Sequence, residues 1–226
     1  MQQESDFALK EYCFGTSAEH LVHFVNQKSF FSKLGHRLDH PNIVKPLLTW
    51  QHNTRFGYSL MPEAYGDLTD YIYNRWRRED KNLEWMSHLD HRFIRSVLDQ
   101  IHGLSSALDA IHGFDGLYGL HGGLDTHNIL VWKDCEATSV QFKISGFGNS
   151  RSCSFPSPST SLYQDFAWNN LRFHAPDKWA RLTFDYTKGK FRSDYPLTQA
   201  SEVFALGGVF LEILVNMLSP IPGFRT

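Results

Sequence analysis

The apolar side chains between residues 93 and 111 recur with the period of an α-helix, and this is the feature that most restricts the fold. The apolar positions are Phe93, Ile94, Val97, Leu98, Ile101, Leu104, Leu108 and Ile111. Residues three and four apart share one face of a helix, so the spacing predicts a long amphipathic helix. Gly113 follows at once, and glycine commonly ends helices. We therefore predict a helix over residues 93–112.

Shorter patterns predict the elements around this helix. Residues 6–12 favour a strand, and the helical spacing over residues 17–38 predicts a helix with Thr16 or Ser17 as its N-cap. Residues 42–50 and 54–61 indicate two strands joined by a polar turn at 51–53, and Asp67 is placed to cap a helix that begins at Leu68.

The second half of the chain shows three further patterns. Residues 129–132 and 140–145 indicate a hairpin. The many Ser, Pro and Asn residues of 146–168 indicate a long exposed loop, and the apolar run near the end predicts a helix over residues 199–218.

Composition restricts the class of protein. The chain has 226 residues, of which 42% are hydrophobic, enough for one domain with a core and too many for a disordered chain. The 24 acidic residues outnumber the 22 basic ones, so we expect no nucleic-acid partner. Cys13, Cys135 and Cys153 form neither a disulfide framework nor a zinc pattern, which favours a reducing compartment.

Two observations on hydropathy concern localisation. The first residues are polar and acidic, with no apolar segment typical of a signal peptide. The longest apolar run, Val203 to Leu218, is 16 residues long and contains Glu212 and Asn216. It is short for a membrane span and is more typical of a buried helix. We expect an intracellular protein, cytoplasmic or nuclear, with no membrane partner.

Two glycine-rich stretches suggest a family. Residues 121–131 read HGGLDTHNILV, and residues 143–148 read KISGFG. Their order and spacing resemble the core of a protein kinase, in which the catalytic loop H-R-D-L-x-x-x-N is followed, after a hairpin, by D-F-G. His121, Leu124 and Asn128 match the first motif, and Phe147 and Gly148 match the second.

Other segments resemble kinase motifs in the right order. They are FALK at 7–10, HPNIV at 40–44, the hinge-like LMPEAYGDLTDYI at 60–72, APD at 175–177 and SEVFALGGVFLEIL at 201–214. The amino-acid sequence of this hinge-like segment resembles that of kinases from filamentous fungi. The resemblance implies an α+β, bilobal kinase-like fold formed by one partial domain. Residues 1–62 would form a reduced N-terminal β lobe, and residues 63–226 a mainly helical C-terminal lobe that lacks its last helices.

The resemblance also implies positions for a nucleotide. Lys10 corresponds to the lysine that pairs with phosphates, and the backbone around Met61, Glu63 and Ala64 corresponds to the hinge that meets the adenine ring. The alternative for Lys10 is a solvated lysine on a strand.

The chain departs from the kinase pattern where the chemistry takes place. Gly123 stands where kinases have the aspartate that accepts the substrate proton, and Gly146 stands where they have the magnesium-binding aspartate. The six residues before Phe7 contain no glycine-rich phosphate cover. Gln27 or Phe31 stands where the glutamate partner of the lysine is expected, so we expect Lys10 to lack its ion pair.

Departures also affect the anchoring of the large lobe. Glu202 stands where kinases have the aspartate that ties down the catalytic loop, and Asp177 replaces the glutamate of A-P-E. The arginine that this glutamate pairs with would lie beyond Thr226.

Several residues admit two interpretations. Asn128 is either a metal ligand or, as we favour, a loop asparagine that bonds nearby backbone, and His121 is expected to support the loop by packing. Asp125 is the one acid left in the loop and a poor substitute for the lost base. Ser157 and Thr160 are possible phosphorylation sites in a serine-rich segment that is otherwise simply hydrophilic. The histidines lie on different predicted elements, so we predict no metal site.

The sequence therefore predicts a catalytically inactive, kinase-like protein, a pseudokinase that acts through protein binding. It needs no cofactor and binds ATP at most weakly, without strong magnesium dependence. The partner is another protein, or a second copy bound through the helix of residues 199–218. The alternatives are an active ATP-dependent Ser/Thr kinase that uses non-standard residues, and an incomplete kinase gene fragment.

Overall fold

The structure, a computed structural model, describes residues 6–16, 18–72, 91–113, 116–133, 140–153, 164–166, 173–176, 182–186, 190–193 and 197–218. These residues form both helices and strands. The expected α+β class is confirmed at this level.

The first part of the chain is a small sheet covered by one helix. Strands β1 (Phe7–Cys13), β2 (Leu48–His52) and β3 (Phe56–Pro62) form an antiparallel sheet in the order β1-β3-β2. Helix α1 (Ala18–Leu34) lies on this sheet. The Phe24 ring of α1 lies 2.6 Å from where a Cβ on Gly57 would stand, so the glycine permits this close approach.

Two predictions for this part need correction. The α-helix ends at Leu34 and a 3₁₀-helix, Gly35–Leu38, follows, because Gly35 takes a positive φ of 46°. The strand predicted from residue 42 begins only at Leu48, since Pro46 has no N–H to donate to a sheet. Thr16 donates its hydroxyl back to the Cys13 carbonyl, and Ser17 lies outside the described residues.

The long helix and the hairpin occur where they were predicted. Helix α2 spans His91–His112, and Gly113 ends it with φ of 62°. Strand β4 (Gly66–Asp67) pairs with β6 (Ile129–Lys133), which pairs antiparallel with β7 (Val140–Ile144). Asp67 Oδ1 accepts the Asp70 N–H at 2.7 Å, so the predicted cap of the helical residues 68–72 is confirmed.

The core lies where α1, α2 and the β6–β7 hairpin meet. Its most buried side chains are Phe30, Leu38, Leu68, Leu104, Ile111, Ile129, Phe142, Ile144 and Phe147. Ile43 forms an isolated parallel bridge with Ile144 and so connects the segment before β2 to the hairpin.

The segment predicted as one exposed loop over residues 146–168 is partly structured. A 3₁₀-helix (Phe147–Asn149) is followed by β8 (Arg151–Cys153), which pairs with β5 (Tyr118–Leu120). Ser150 is buried between these two elements. The loop prediction was wrong here because burial of Phe147 depends on residues far away in the sequence.

The remaining strands form a separate small sheet. Strands β9 (Gln164–Phe166), β10 (Leu182–Asp185) and β11 (Lys190–Ser193) pair in the order β10-β11-β9.

Helix α3 (Gln199–Leu218) has the bounds that the sequence predicted. The Thr198 and Ser201 side chains bond each other's backbone N–H groups at 3.1 Å and cap its first turn. About a third of residues 199–216 are buried, and the others are half-buried or exposed, so the expectation of a buried helix holds only for one side of α3. Among the described residues, α3 is the one helix long and apolar enough to span a membrane by length and composition.

Candidate functional site

The loop of residues 121–128 and the segment of residues 145–150 pack directly against each other. His121 is fully buried and connects them: its Nε2 donates to the Ser145 carbonyl at 2.6 Å, and its Nδ1 accepts the Gly123 N–H at 3.2 Å. A carbonyl can only accept, so the hydrogen sits on Nε2 and the ring is neutral. Burial lowers the pKa of His121, which favours this neutral form. The predicted supporting role of His121 agrees with these contacts.

Asn128 occupies the space beside Gly146. Its Nδ2 donates to the Gly123 carbonyl at 2.7 Å, and its Oδ1 lies 1.9 Å from where a Cβ on Gly146 would stand. Gly146 itself has a positive φ of 78°. Any side chain at position 146 would therefore have to displace the Asn128 carboxamide. Asn128 bonds nearby backbone here, as we favoured from the sequence.

Gly123 is different, because a side chain would fit there. The nearest atoms to a Cβ at this position are Asn128 Nδ2 at 3.6 Å and Asn149 Nδ2 at 3.7 Å, which are ordinary contact distances. Glycine at position 123 is therefore not required by the local packing.

Asp125 is buried and serves the loop backbone. Its Oδ1 accepts the Asn128 N–H at 2.9 Å and so caps the 3₁₀-helix Thr126–Asn128. Burial raises the pKa of Asp125. A carboxylate held in this way faces the backbone of its own loop, which disfavours a role as general base.

Glu202 ties α3 to the loop and to α2. Its Oε1 accepts the Gly122 N–H at 2.6 Å, and its Oε2 accepts from His112 Nε2 at 2.9 Å. Both side chains of the His112–Glu202 pair are buried. One carboxylate therefore connects elements that are 80 and 90 residues away from it in the sequence.

An aromatic cluster surrounds Phe147. Its ring centroid lies 4.8 Å from that of His121, 4.9 Å from that of Phe31 and 5.5 Å from that of Phe30. The two phenylalanines belong to α1, so this cluster holds α1 against both glycine-rich stretches.

Lys10 lies apart from any described ion-pair partner. Its Nζ lies 5.0 Å above the Tyr12 ring, and burial is the cause that lowers the pKa of its ammonium. Gln27, at the position where a glutamate was sought, instead accepts from the Tyr12 hydroxyl and donates to Ser59 Oγ, both at 2.9 Å. The sequence did not reveal these buried bonds, since they join three separate elements.

The hinge-like segment is partly engaged by β1. The Glu63 N–H donates to the Asp6 carbonyl at 3.0 Å, and Met61 is the register partner of Ala8. Ala64 is followed by Tyr65, whose N–H donates to the Val131 carbonyl at 2.9 Å. Lys10 and Met61 thus lie on one sheet and Glu63 follows its strand β3, while His121, Asn128 and Gly146 meet at the packed loops.

The possible phosphorylation sites and metal ligands are considered separately from these loops. Ser157 and Thr160 lie outside the described residues. Within the described ranges, no group of three or more His, Cys, Asp or Glu side chains is arranged to hold a metal ion.

No protein-family model matches this chain, and no curated protein matches it either.

Proposed function

We propose that this chain is a kinase-like protein that does not transfer phosphate and that acts by binding another protein. The kinase-like part rests on the motif residues and on how they meet in space. His121, Asn128 and Phe147 belong to two separate motifs, yet all lie within the same packed loops. Glu202, from a third motif, bonds the Gly122 backbone as the resemblance requires.

The order of elements also supports this proposal. A three-stranded antiparallel sheet with one covering helix precedes a long helix, a loop, a hairpin and a second loop. This order agrees with the sequence of motifs from FALK to KISGFG. The resemblance assigns the sheet and α1 to a small lobe, and the later elements to a large one.

The position of Asn128 beside Gly146 is the observation on which the inactive assignment rests. Phosphoryl transfer depends on positioned metal ions that neutralise the phosphate charge. The chain has no carboxylate at residue 146, and the carboxamide of Asn128 fills the space in which one would begin. Asn128 Nδ2 also donates to the Gly123 carbonyl, which holds the carboxamide in this position.

The hinge supports the same conclusion for the nucleotide. A purine base would need free backbone donors and acceptors at residues 61–64. The Glu63 N–H already donates to the Asp6 carbonyl. The pairing of β1 with β3 extends to Phe7 and Pro62, directly beside this bond. A base would have to break this bond before it could use the same donor.

The proposed protein-binding surface is the exposed stripe of α3. It consists of Val203, Phe204, Gly207, Leu211 and Val215. Leu211 is 63% exposed and Val203 is 59% exposed. An exposed apolar stripe of this kind is typical of surfaces that bind a partner. The occupant is a second copy of the chain or another protein with an apolar helix.

A phosphotransfer assay tests the catalytic part of the proposal. Purified chain is incubated with radiolabelled ATP, magnesium and a general protein substrate, and the Lys10→Ala variant is the matched control. We expect only background incorporation in the native chain, in Lys10→Ala and in the Gly123→Asp/Gly146→Asp variant. Incorporation by the native chain above the Lys10→Ala control would contradict the proposal and support the active-kinase alternative.

A further inference from the structure

Two consecutive side chains of α1, Asn26 and Gln27, bond different parts of the molecule. Gln27 bonds Tyr12 of β1 and Ser59 of β3. Asn26 Nδ2 donates to the Gly148 carbonyl at 2.9 Å, and its Oδ1 accepts from Arg151. Because successive residues point about 100° apart around a helix, one turn of α1 faces both the sheet and the segment of residues 147–151.

The bonds on the sheet side are buried and join neutral groups. Gln27 is only 4% exposed, and burial raises the pKa of Tyr12 to about 12, so its hydroxyl keeps its proton at neutral pH. Thr49 Oγ1 lies 3.3 Å from Ser59 Oγ and extends the network to β2. All three strands of the sheet are thus connected to Gln27.

The bonds on the other side reach the glycine-rich segment. Gly148 follows Phe147, whose ring packs on Phe30 and Phe31 of the same helix. A Cβ on Gly148 would stand 3.0 Å from the His23 side chain, so the segment lies close against α1. Polar bonds and aromatic packing therefore act together there.

We propose that Asn26 and Gln27 couple the sheet to the segment of residues 147–153, so that loosening either contact of α1 loosens the other. No ligand takes part in the coupling, because every group in it belongs to the chain. The inference does not depend on whether the protein binds nucleotide or transfers phosphate.

Hydrogen exchange measured by mass spectrometry tests this coupling. Tyr12→Phe removes only the hydroxyl that bonds Gln27, and Asn26→Ala removes the bonds to Gly148 and Arg151. Lys28→Ala, at an exposed position of the same helix, is the matched control. Ser59→Ala, which removes the other bond of Gln27, serves if Tyr12→Phe does not fold.

We expect Tyr12→Phe to speed exchange about two- to tenfold in β1 and β3 and also in residues 147–153, a factor that corresponds to the loss of one hydrogen bond. Asn26→Ala should affect the same two regions, while α2 stays protected and Lys28→Ala changes neither. If each substitution speeds hydrogen exchange only in the region whose hydrogen bond it removes, the proposal is wrong. Equal acceleration in α2 would also overturn it, since that result indicates a general loss of stability.

Discussion

The carboxamide oxygen of Asn128 lies 1.9 Å from the point where a Cβ on Gly146 would stand, so the two positions depend on each other. We expect Gly146→Ala to destabilise the native chain strongly, because alanine at positive φ costs about 1–2 kcal/mol and the added methyl also displaces Asn128. In an Asn128→Ala background the clash with the carboxamide disappears and only the Cβ contact at 3.2 Å remains, so the cost should fall. Urea unfolding of the two single variants and the double variant measures this difference. Equal costs of Gly146→Ala in both backgrounds would show that Asn128 does not occupy that space.

Glu202 should be essential for the packing of α3 on the loop. Glu202→Ala removes the acceptor for both His112 and Gly122, and a hydrogen bond to a charged group contributes about 1.5–3 kcal/mol. Glu202→Gln keeps an oxygen for the Gly122 N–H, so its cost should be smaller. The free energy of unfolding of the two variants provides the comparison. If Gln and Ala were equally destabilising, the charge opposite His112 would matter more than the bond to the loop.

The stability of the protein should fall in mild acid because His121 is buried in its neutral form. Burial lowers the folded-state pKa of His121 below the ordinary value of about 6.5. As the pH falls through about 6.5, the unfolded chain takes up the proton first, so the free energy of unfolding decreases until the folded-state pKa is reached.

The slope that His121 contributes is at most about 1.4 kcal/mol per pH unit. Urea unfolding between pH 7 and pH 5 should therefore show a shallower pH dependence for His121→Gln than for the native chain. Identical slopes would mean that His121 does not contribute to the acid sensitivity.

Nucleotide should stabilise this protein little. The Glu63 N–H is bonded to Asp6, and Gly123 and Gly146 supply no carboxylate for magnesium. We expect small and similar thermal shifts with ATP and adenosine, with or without magnesium, since the shift grows with the ratio of ligand concentration to Kd. A large shift with ATP that requires magnesium, and that Lys10→Ala abolishes, would indicate a working phosphate site.

The stripe of α3 should mediate association. Leu211 is 63% exposed on α3, whereas Leu98 is 52% exposed on α2 and lies outside the stripe, which makes it a matched control. We expect the native chain to form oligomers on a size-exclusion column with light scattering, Leu211→Glu to reduce them, and Leu98→Glu to leave them unchanged. A native chain that is monomeric and binds no hydrophobic dye would exclude self-association through α3.

Local patterns were sufficient to predict several elements. The helical spacing before Gly113 predicted α2, and the apolar run near the end predicted α3 with its observed bounds. The two apolar stretches around residues 129–145 predicted the β6–β7 hairpin. These features depend on residues a few positions apart, so side-chain periodicity and glycine conformation were enough to predict them.

The tertiary structure decided which of these residues meet and which surfaces stay open. The sequence showed glycine at positions 123 and 146, but only the fold placed the Asn128 carboxamide against Gly146 and bonded the Glu63 N–H to Asp6. It also brought Glu202 to Gly122 across 80 residues and left one apolar stripe of α3 exposed. Such contacts join segments that are far apart in the chain, and their free energy depends on the burial and geometry that packing alone creates.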